Sequence, residues 1–469
     1  MSDKPIAAGA PAGHTAALAR FATDLRFGDI PPPVVNDMKR IVLDGLGCAL
    51  FGSALAWPKI LTDFVRENEG PGPVTIWGTK VRTSSTSATM VNGTSVHSFE
   101  IDDVHPGGGR QHAASVAIPP VLALAEQYGP ISGEEALSAM IAGLEVGNRI
   151  GLSLGVNSAS IGWHAPSVCG VFPAVVAAGR CLKLSEGWMD QAIGLAATQA
   201  AGLHASHKSG AMAKRWHAGK AAQSGLYAAL LASRGFTGPE GVLERDVGGF
   251  CNTFTQGRSQ VDFSRLTQGL GKTWETSRTQ LKIYSCRGMM HSALDGIREL
   301  RRKGPLDAAD VEQVTVWIGQ NLGSSSVPYE PGSMSKAQMN MGYCVAVMLL
   351  EGACFVGQFD EAKLADPKIV DLARRVRSIH DPAIDAMGSA HQHHMRMEVK
   401  MRDGRTLHVE VEQAAGGAEI PIPQDELVGK FRSLAGTAFP PSRLDGIIDR
   451  IDRFETLADV AEVSRSLAV

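Results

Sequence analysis

The sequence predicts a mainly α protein: a large all-helical domain built from both chain ends, with a smaller α+β domain inserted late. Three observations lead there. Residues 1–268 repeat one texture, Ala, Leu, Val and Ile at helical spacing broken by Gly and Pro clusters. Across residues 269–279 that texture gives way to segments alternating apolar and polar side chains. After Ala418 the helical spacing returns, so the last segment packs back onto the first. The helical domain is therefore read as 1–268 with 415–469, and the insertion as 269–414.

In chain order, VVNDMKRIVLDGLGCAL, PPVLALAEQYG, GEEALSAMIAGLEVGNRIG, PSVCGVFPAVVAAGRCL and MDQAIGLAATQAAGL read as helices, because apolar residues recur three and four apart. Several carry little charge on any face. That calls for burial inside the domain or between subunits, and so for a homo-oligomer. In the insertion, 292–302 and 340–352 read as helices and VEQVTVWIG as a strand. HHMRMEVKMRDGRTLHVEVEQ reads as two strands joined at Asp403-Gly404, a dipeptide suited to a tight hairpin turn. QDELVGKFRSLAG and RLDGIIDRIDRF are the returning helices.

With 469 residues, 44% hydrophobic and 20% charged, the chain can bury a large core, which excludes a disordered or fibrous protein. A net charge of -3 supplies no general field for gathering nucleic acid or an anionic membrane, so neither is expected as a partner. The cysteines Cys48, Cys169, Cys181, Cys251, Cys286, Cys344 and Cys354 are scattered and never spaced C-x-x-C, which points to reduced thiols in a cytoplasmic protein. No basic segment followed by an apolar run opens the chain, and Arg180 and Glu351 interrupt the longest apolar stretches. A signal peptide or membrane span is not expected.

The densest chemistry lies in residues 97–112, HSFEIDDVHPGGGRQH, where three acidic residues and three histidines surround a three-glycine run. Asp, Glu and His are seldom buried without partners, and the glycines permit a sharp bend, so the segment reads as a polar active-site loop. Asp102, Asp103, His105 and His112 also offer an imidazole and carboxylate set suited to zinc or iron. Other motifs fail. GLGKT at 269–273 has Leu266 where a phosphate-binding loop needs glycine, and Gly151-Leu152-Ser153-Leu154-Gly155 follows a helix, not the strand a nucleophile elbow requires. HQHH at 391–394 reads as a surface loop or strand entry. The basic residues gather in HASHKSGAMAKRWHAGKAA, with His204, His207, Lys208, Lys214, Arg215, His217 and Lys220 close together. On a helix Lys214 and His217 share a face, a grouping that would hold a small molecule with two or three carboxylates.

Taken together, HSFEIDDVHPGGGRQH, PPVLALAEQYG, the Gly162-Trp163-His164 triplet, AMAKRWHAGKAAQSGLYAALLASRGFTGPEGVLE and KIYSCRGMMHSALDGI resemble, in this order, the MmgE/PrpD family. The resemblance implies a helical domain, an α+β lid, a homodimer, no cofactor or required metal, and chemistry on small polycarboxylates: 2-methylcitrate dehydration, cis-aconitate decarboxylation or iminodisuccinate epimerisation. Each forms or discharges a carbanion beside a carboxylate, which needs a base, an acid and cationic stabilisation of the enolate. By position His112, His164, Lys214, His291 and Tyr343 match the family's polar residues. His112 or His164 is expected to move the proton, Lys214 and His291 to bind carboxylates, and Tyr343 to donate to oxygen. Asp103 and Glu100 are expected to orient the histidines. Arg110, His217, Lys282 and Arg287 complete the expected substrate contacts.

Glu100 and Val104 stand where the decarboxylases carry Asp and Thr, and Asp102-Asp103-Val104 and Arg110-Gln111-His112-Ala113 depart from the dehydratase pattern. A dehydratase-type lyase on a different di- or tricarboxylate is the leading expectation, with decarboxylase or epimerase as the alternative and a noncatalytic carboxylate-binding protein as the second.

Overall fold

The computed structural model describes residues 13–155, 161–206, 210–257, 260–319, 325–388 and 391–469. Helix accounts for 57% of the chain and strand for 8%, in keeping with the mainly α expectation. The expected helices form. Among them are α1 (Pro32–Ser53), α2 (Ser85–Val96), α3 (Ala113–Tyr128), α4 (Gly133–Leu154), α5 (Val171–Cys181) and α6 (Ala213–Ala232). Helix α4 starts with a capping box: the Ser132 hydroxyl accepts from the Glu135 backbone while Glu135 accepts from the Ser132 N–H. It ends at Leu154, so Ser153 lies in a helix end, and its hydroxyl donates to the Ile150 carbonyl at 2.7 Å.

Helices α2, α3 and α6 cross at one point because their side chains are absent there. A Cβ on Gly93 of α2 would stand 2.7 Å from the Ser115 carbonyl oxygen and 3.0 Å from Gly219 Cα, and one on Gly219 of α6 would meet the Met90 carbonyl at 2.1 Å. Pro119 inside α3 has no N–H to offer the Ser115 carbonyl, which leaves that oxygen facing Gly93. This crossing brings the C-terminus of α2, the N-terminus of α3 and the first turn of α6 close together.

The later part holds helices α7 (His291–Lys303) and α8 (Met341–Glu351) and a four-stranded sheet. Its strands are β1 (Val311–Ile318), β2 (Val376–His380), β3 (Met395–Met401) and β4 (Thr406–Val411), in the order β2-β1-β3-β4. The hairpin at Asp403-Gly404 pairs β3 with β4 antiparallel, Met397 opposite Val409, while β2 lies parallel to β1 with Val376 opposite Val314. β2 escapes a reading by alternation because it is an edge strand with half-buried and exposed residues only. On β3 the buried side chains are Met395, Met397, Val399 and Met401, and α7 packs against the β3–β4 hairpin at Gly296.

The chain then returns to helices, and α9 (Gln424–Ala435) packs along α1. Lys430 of α9 is the buried tie. Its ammonium pairs with Asp44 of α1 at 2.5 Å and donates at 2.7 Å to both the Ile101 and Lys282 carbonyls. Both chain ends and the first turn of the late part are thereby joined through one charge. Among the described residues no single helix is long and apolar enough to cross a membrane. Lys430→Met strands Asp44 and two carbonyls in the core; urea unfolding should show a loss of about 3–5 kcal/mol.

Candidate active site

Residues 97–112 connect α2 to α3, and their backbone is held on every side. Val104 and Gln280 exchange two backbone hydrogen bonds of 2.8 and 2.9 Å, and the His105 N–H bonds the Gln111 carbonyl at 2.8 Å. The glycine run serves close packing against α4 as well as bending: a Cβ on Gly151 would lie 2.3 Å from the Gly108 carbonyl carbon. His105 is structural. Its Nδ1 accepts from the Gly108 N–H at 2.6 Å and its Nε2 faces Glu275 at 3.1 Å, which removes it from any metal set with Asp103. Glu100 and Arg110 take left-handed φ values of 58° and 53°, uncommon for side chains of this size, and they flank the turn.

Two carboxylates organise the centre. Glu100 contacts Lys214 and Arg215 through one oxygen and meets Lys282 with the other at 3.4 Å, all four side chains being buried. Asp102 bridges two imidazoles: its Oδ2 is 2.8 Å from His97 Nδ1 and 2.9 Å from His112 Nδ1, and its Oδ1 is 3.7 Å from Lys282. The two rings lie 4.0 Å apart. Asp103 departs from its expected role. Its carboxylate accepts from the Ala113 and Ala114 N–H groups at 2.5 and 2.9 Å, capping α3, and only its backbone carbonyl touches His112 Nδ1, at 2.6 Å. Glu100 likewise orients cations, not histidines.

Electrostatics follow from burial. Burial opposes ionising Asp102, yet His112, His97 and Lys282 outweigh it and hold the carboxyl well below its ordinary range. Burial and then Asp102 push Asp103 up to about 7. Lys214 is pushed well below the usual lysine value by burial and then by Arg215, Lys282 and Arg287, while direct contact with Glu100 works the other way. Burial lowers Arg215 to about 10, and its Nη2 donates to Gln338 at 2.9 Å.

The remaining predicted residues form two satellites. His164 and His217 face each other with Nδ1 atoms 2.9 Å apart, and burial followed by Lys214 lowers His217. Arg110 directs Nη1 at Met289 Sδ, 3.2 Å away, and burial followed by Arg110 lowers Arg287 to about 10. His393 belongs here. It is buried, and burial, then His291 and Arg110, push it down to about 4, so HQHH enters a strand from inside the protein and not from its surface. Gln392 beside it donates to the Pro106 carbonyl at 3.2 Å. Tyr343 is not brought into the centre by any described contact; its hydroxyl donates to the Gln358 carbonyl at 2.5 Å and its ring packs on Tyr329 and Phe359. His207 and Lys208 lie outside the described residues.

Sequence reasoning named Asp102 as a metal candidate, Arg215 in the basic group, and His97 and His393 within their motifs, but assigned none of them to the charge cluster found here. His97 and Asp102 stand five apart in the acidic loop, a spacing that becomes meaningful only once the chain reverses between them. A metal could be held by His97, Asp102 and His112, whose ligand atoms lie within 4.8 Å of one another.

Two histidines on one buried carboxylate, beside a second carboxylate crowded by cations, make a buried cluster of acid–base groups next to positive charge. Residues 16–261 match the MmgE/PrpD N-terminal domain and residues 284–453 the MmgE/PrpD C-terminal domain, and the chain belongs to the MmgE/PrpD family. It is similar to cis-aconitate decarboxylase of Aspergillus terreus (strain NIH 2624 / FGSC A1156), 33% identical over 98% of this chain and 97% of that one. Cis-aconitate decarboxylase of Homo sapiens is 26% identical over 95% and 93%, and 2-methylcitrate dehydratase of Cupriavidus necator 25% identical over 87% of each. The chain is an enzyme of this lyase family.

Burial and then His112 push the His97 imidazolium well below its ordinary value, against the pull of Asp102. The unfolded chain therefore binds a proton at His97, near pH 6.5, that the folded chain refuses, and this contribution to stability is lost as pH falls below about 6.5. Denaturant titrations from about pH 8 to about pH 5 should show the stability advantage of wild type over His97→Gln shrinking toward acid; a constant difference would contradict the assignment.

Proposed function

We propose that this enzyme removes CO2 from a small tricarboxylate of the cis-aconitate kind through a carbanion stabilised by a neighbouring carboxylate. The observation that carries the reading is the buried charge set: Lys214, Arg215 and Lys282 surround the carboxylates of Glu100 and Asp102, Arg287 adds a further positive charge near Lys214, and Asp103 is pushed toward neutrality. Such a site favours a ligand that brings negative charge of its own. The decarboxylase names of the relatives at 33% identity move C–C cleavage ahead of dehydration, reversing the order that the Glu100 and Val104 departures alone suggest. Dehydration of a different di- or tricarboxylate stays as the second reading, since Val104 lacks the hydroxyl of the decarboxylase pattern.

Loss of CO2 from such an acid leaves an allylic carbanion, delocalised toward a remaining carboxylate. Lys214 and Lys282 stabilise that charge, and Glu100 holds both ammonium groups in register. His112, fixed by Asp102, delivers the proton to carbon; a histidine held through Nδ1 presents Nε2 to the substrate. His164 with His217 anchors a second carboxylate, and Arg110 with Arg287 a third. Tyr343 shapes the wall, its hydroxyl being engaged by Gln358. No step in this scheme draws on a metal or cofactor.

Residues 269–414 act as the lid, with Lys282 carried on it. The enzyme works as a cytoplasmic homodimer: α6, which bears Lys214, also exposes Trp216, Tyr227 and Leu231 on its outer side, and the seven cysteines are free thiols.

In D2O with cis-aconitate, proton NMR should show CO2 loss and one deuterium at carbon; water loss from 2-methylcitrate without CO2 release would select the second reading, and no turnover of either would reject both. Lys214→Met should lower kcat/KM by about 10²–10³-fold or more, as loss of one preorganised donor does. Trp216→Glu should convert the dimer to monomer in analytical ultracentrifugation, and a monomeric wild type would refute the dimer.

A further inference from the structure

Outside the site just described, three sulfur atoms meet in the core. Cys286 lies in the segment ahead of α7, Cys344 in α8, and Cys354 two residues beyond Gly352, whose left-handed conformation ends α8. Their sulfurs all lie within 4.8 Å of one another, and each cysteine is at most 1% exposed. The Ser285 N–H donates to the Cys354 carbonyl at 2.8 Å, which holds the two loops together. Ordinary core packing accounts for single buried thiols such as Cys48 and Cys169, each set among apolar neighbours. It does not account for the residue beside the trio. His291 is fully buried, and among the described residues its ring nitrogens find no oxygen or nitrogen partner and stand instead beside the Cys286 thiol. A buried imidazole left in this state calls for an explanation. Cys286 interacts with Cys344, Cys354 and His291 together.

We propose that Cys286, Cys344 and Cys354 form a binding site for a thiophilic divalent cation, zinc foremost, with His291 as the fourth donor. Thiolate–zinc bonds of about 2.3 Å arranged tetrahedrally place the sulfurs roughly 3.8 Å apart, within the spread the backbone already permits. Binding releases the thiol protons and breaks no other bond. One imidazole nitrogen then faces the metal and the other remains an N–H donor, the arrangement usual for a metal-bound histidine. The cation would clamp α8 to the segment that carries Lys282 and Arg287.

The test uses reduced full-length protein purified without a histidine tag, stripped of metal and titrated with Co²⁺. One equivalent should produce intense thiolate-to-cobalt absorption, abolished by one equivalent of Zn²⁺. The His97, Asp102 and His112 group contains no sulfur, so binding there would produce no such band and would overturn the proposal. Cys344→Ser and Cys354→Ser should each weaken Co²⁺ binding by more than about tenfold, and Cys169→Ser should leave it unchanged. A band that survives in both trio variants overturns the assignment. X-ray absorption on zinc-loaded wild type decides the matter without any variant: three sulfur neighbours support the site, and nitrogen and oxygen neighbours alone refute it.

Discussion

Glu100 is the charge on which the site depends. Its carboxylate has left water and stands among Lys214, Arg215 and Lys282, which come from α6 and from the segment leading into the sheet. None of these cations is stable alone in the core, and neither is the acid; each is tolerable because the others are present. The consequence reaches beyond local energy. A group of charges that compensate only in one arrangement specifies how the early and late parts of the chain meet, and it leaves cations in place for an incoming acid.

The backbone accepts strain to make this possible. Glu100 lies at φ 58°, and reversing the chain there points its carboxylate at α6 while Asp102, two residues on, faces the opposite way toward His97 and His112. The loop is secured by the Val104–Gln280 exchange, by the His105 contacts and by Lys430, which bonds the carbonyls of Ile101 and Lys282 at once. Helix α9, from the end of the chain, thus aligns two site segments without entering the site. A helix late in the chain thus carries the charge that sets the register between the 97–112 loop and the segment holding Lys282.

Division of labour between neighbouring acids came from surroundings rather than identity. Asp102 and Asp103 are adjacent and chemically alike, yet one sits between two imidazoles and stays ionised while the other caps α3 and is pushed toward neutrality. In the sequence they are interchangeable, and Asp103 was the natural choice for the histidine partner. The loop's path decided otherwise. The same holds for His105, whose place beside Asp103 suggested a ligand and whose ring instead buttresses the glycine turn.

What the sequence determined by itself was whatever repeats or clusters along the chain. Helical spacing located the helices of both ends, alternation with Asp403-Gly404 located the β3–β4 hairpin, and the density of Asp, Glu, His, Lys and Arg marked the two segments that build the site. Those features are local, since they arise from the period of side chains about one element. The tertiary structure alone decided which acid meets which base, that Arg215 and His393 turn inward, and that Tyr343 gives its hydroxyl to a backbone carbonyl. Those outcomes rest on contacts between residues far apart in the chain, where direction is set by helix crossing at Gly93 and Gly219 and by the cost of leaving a buried charge alone.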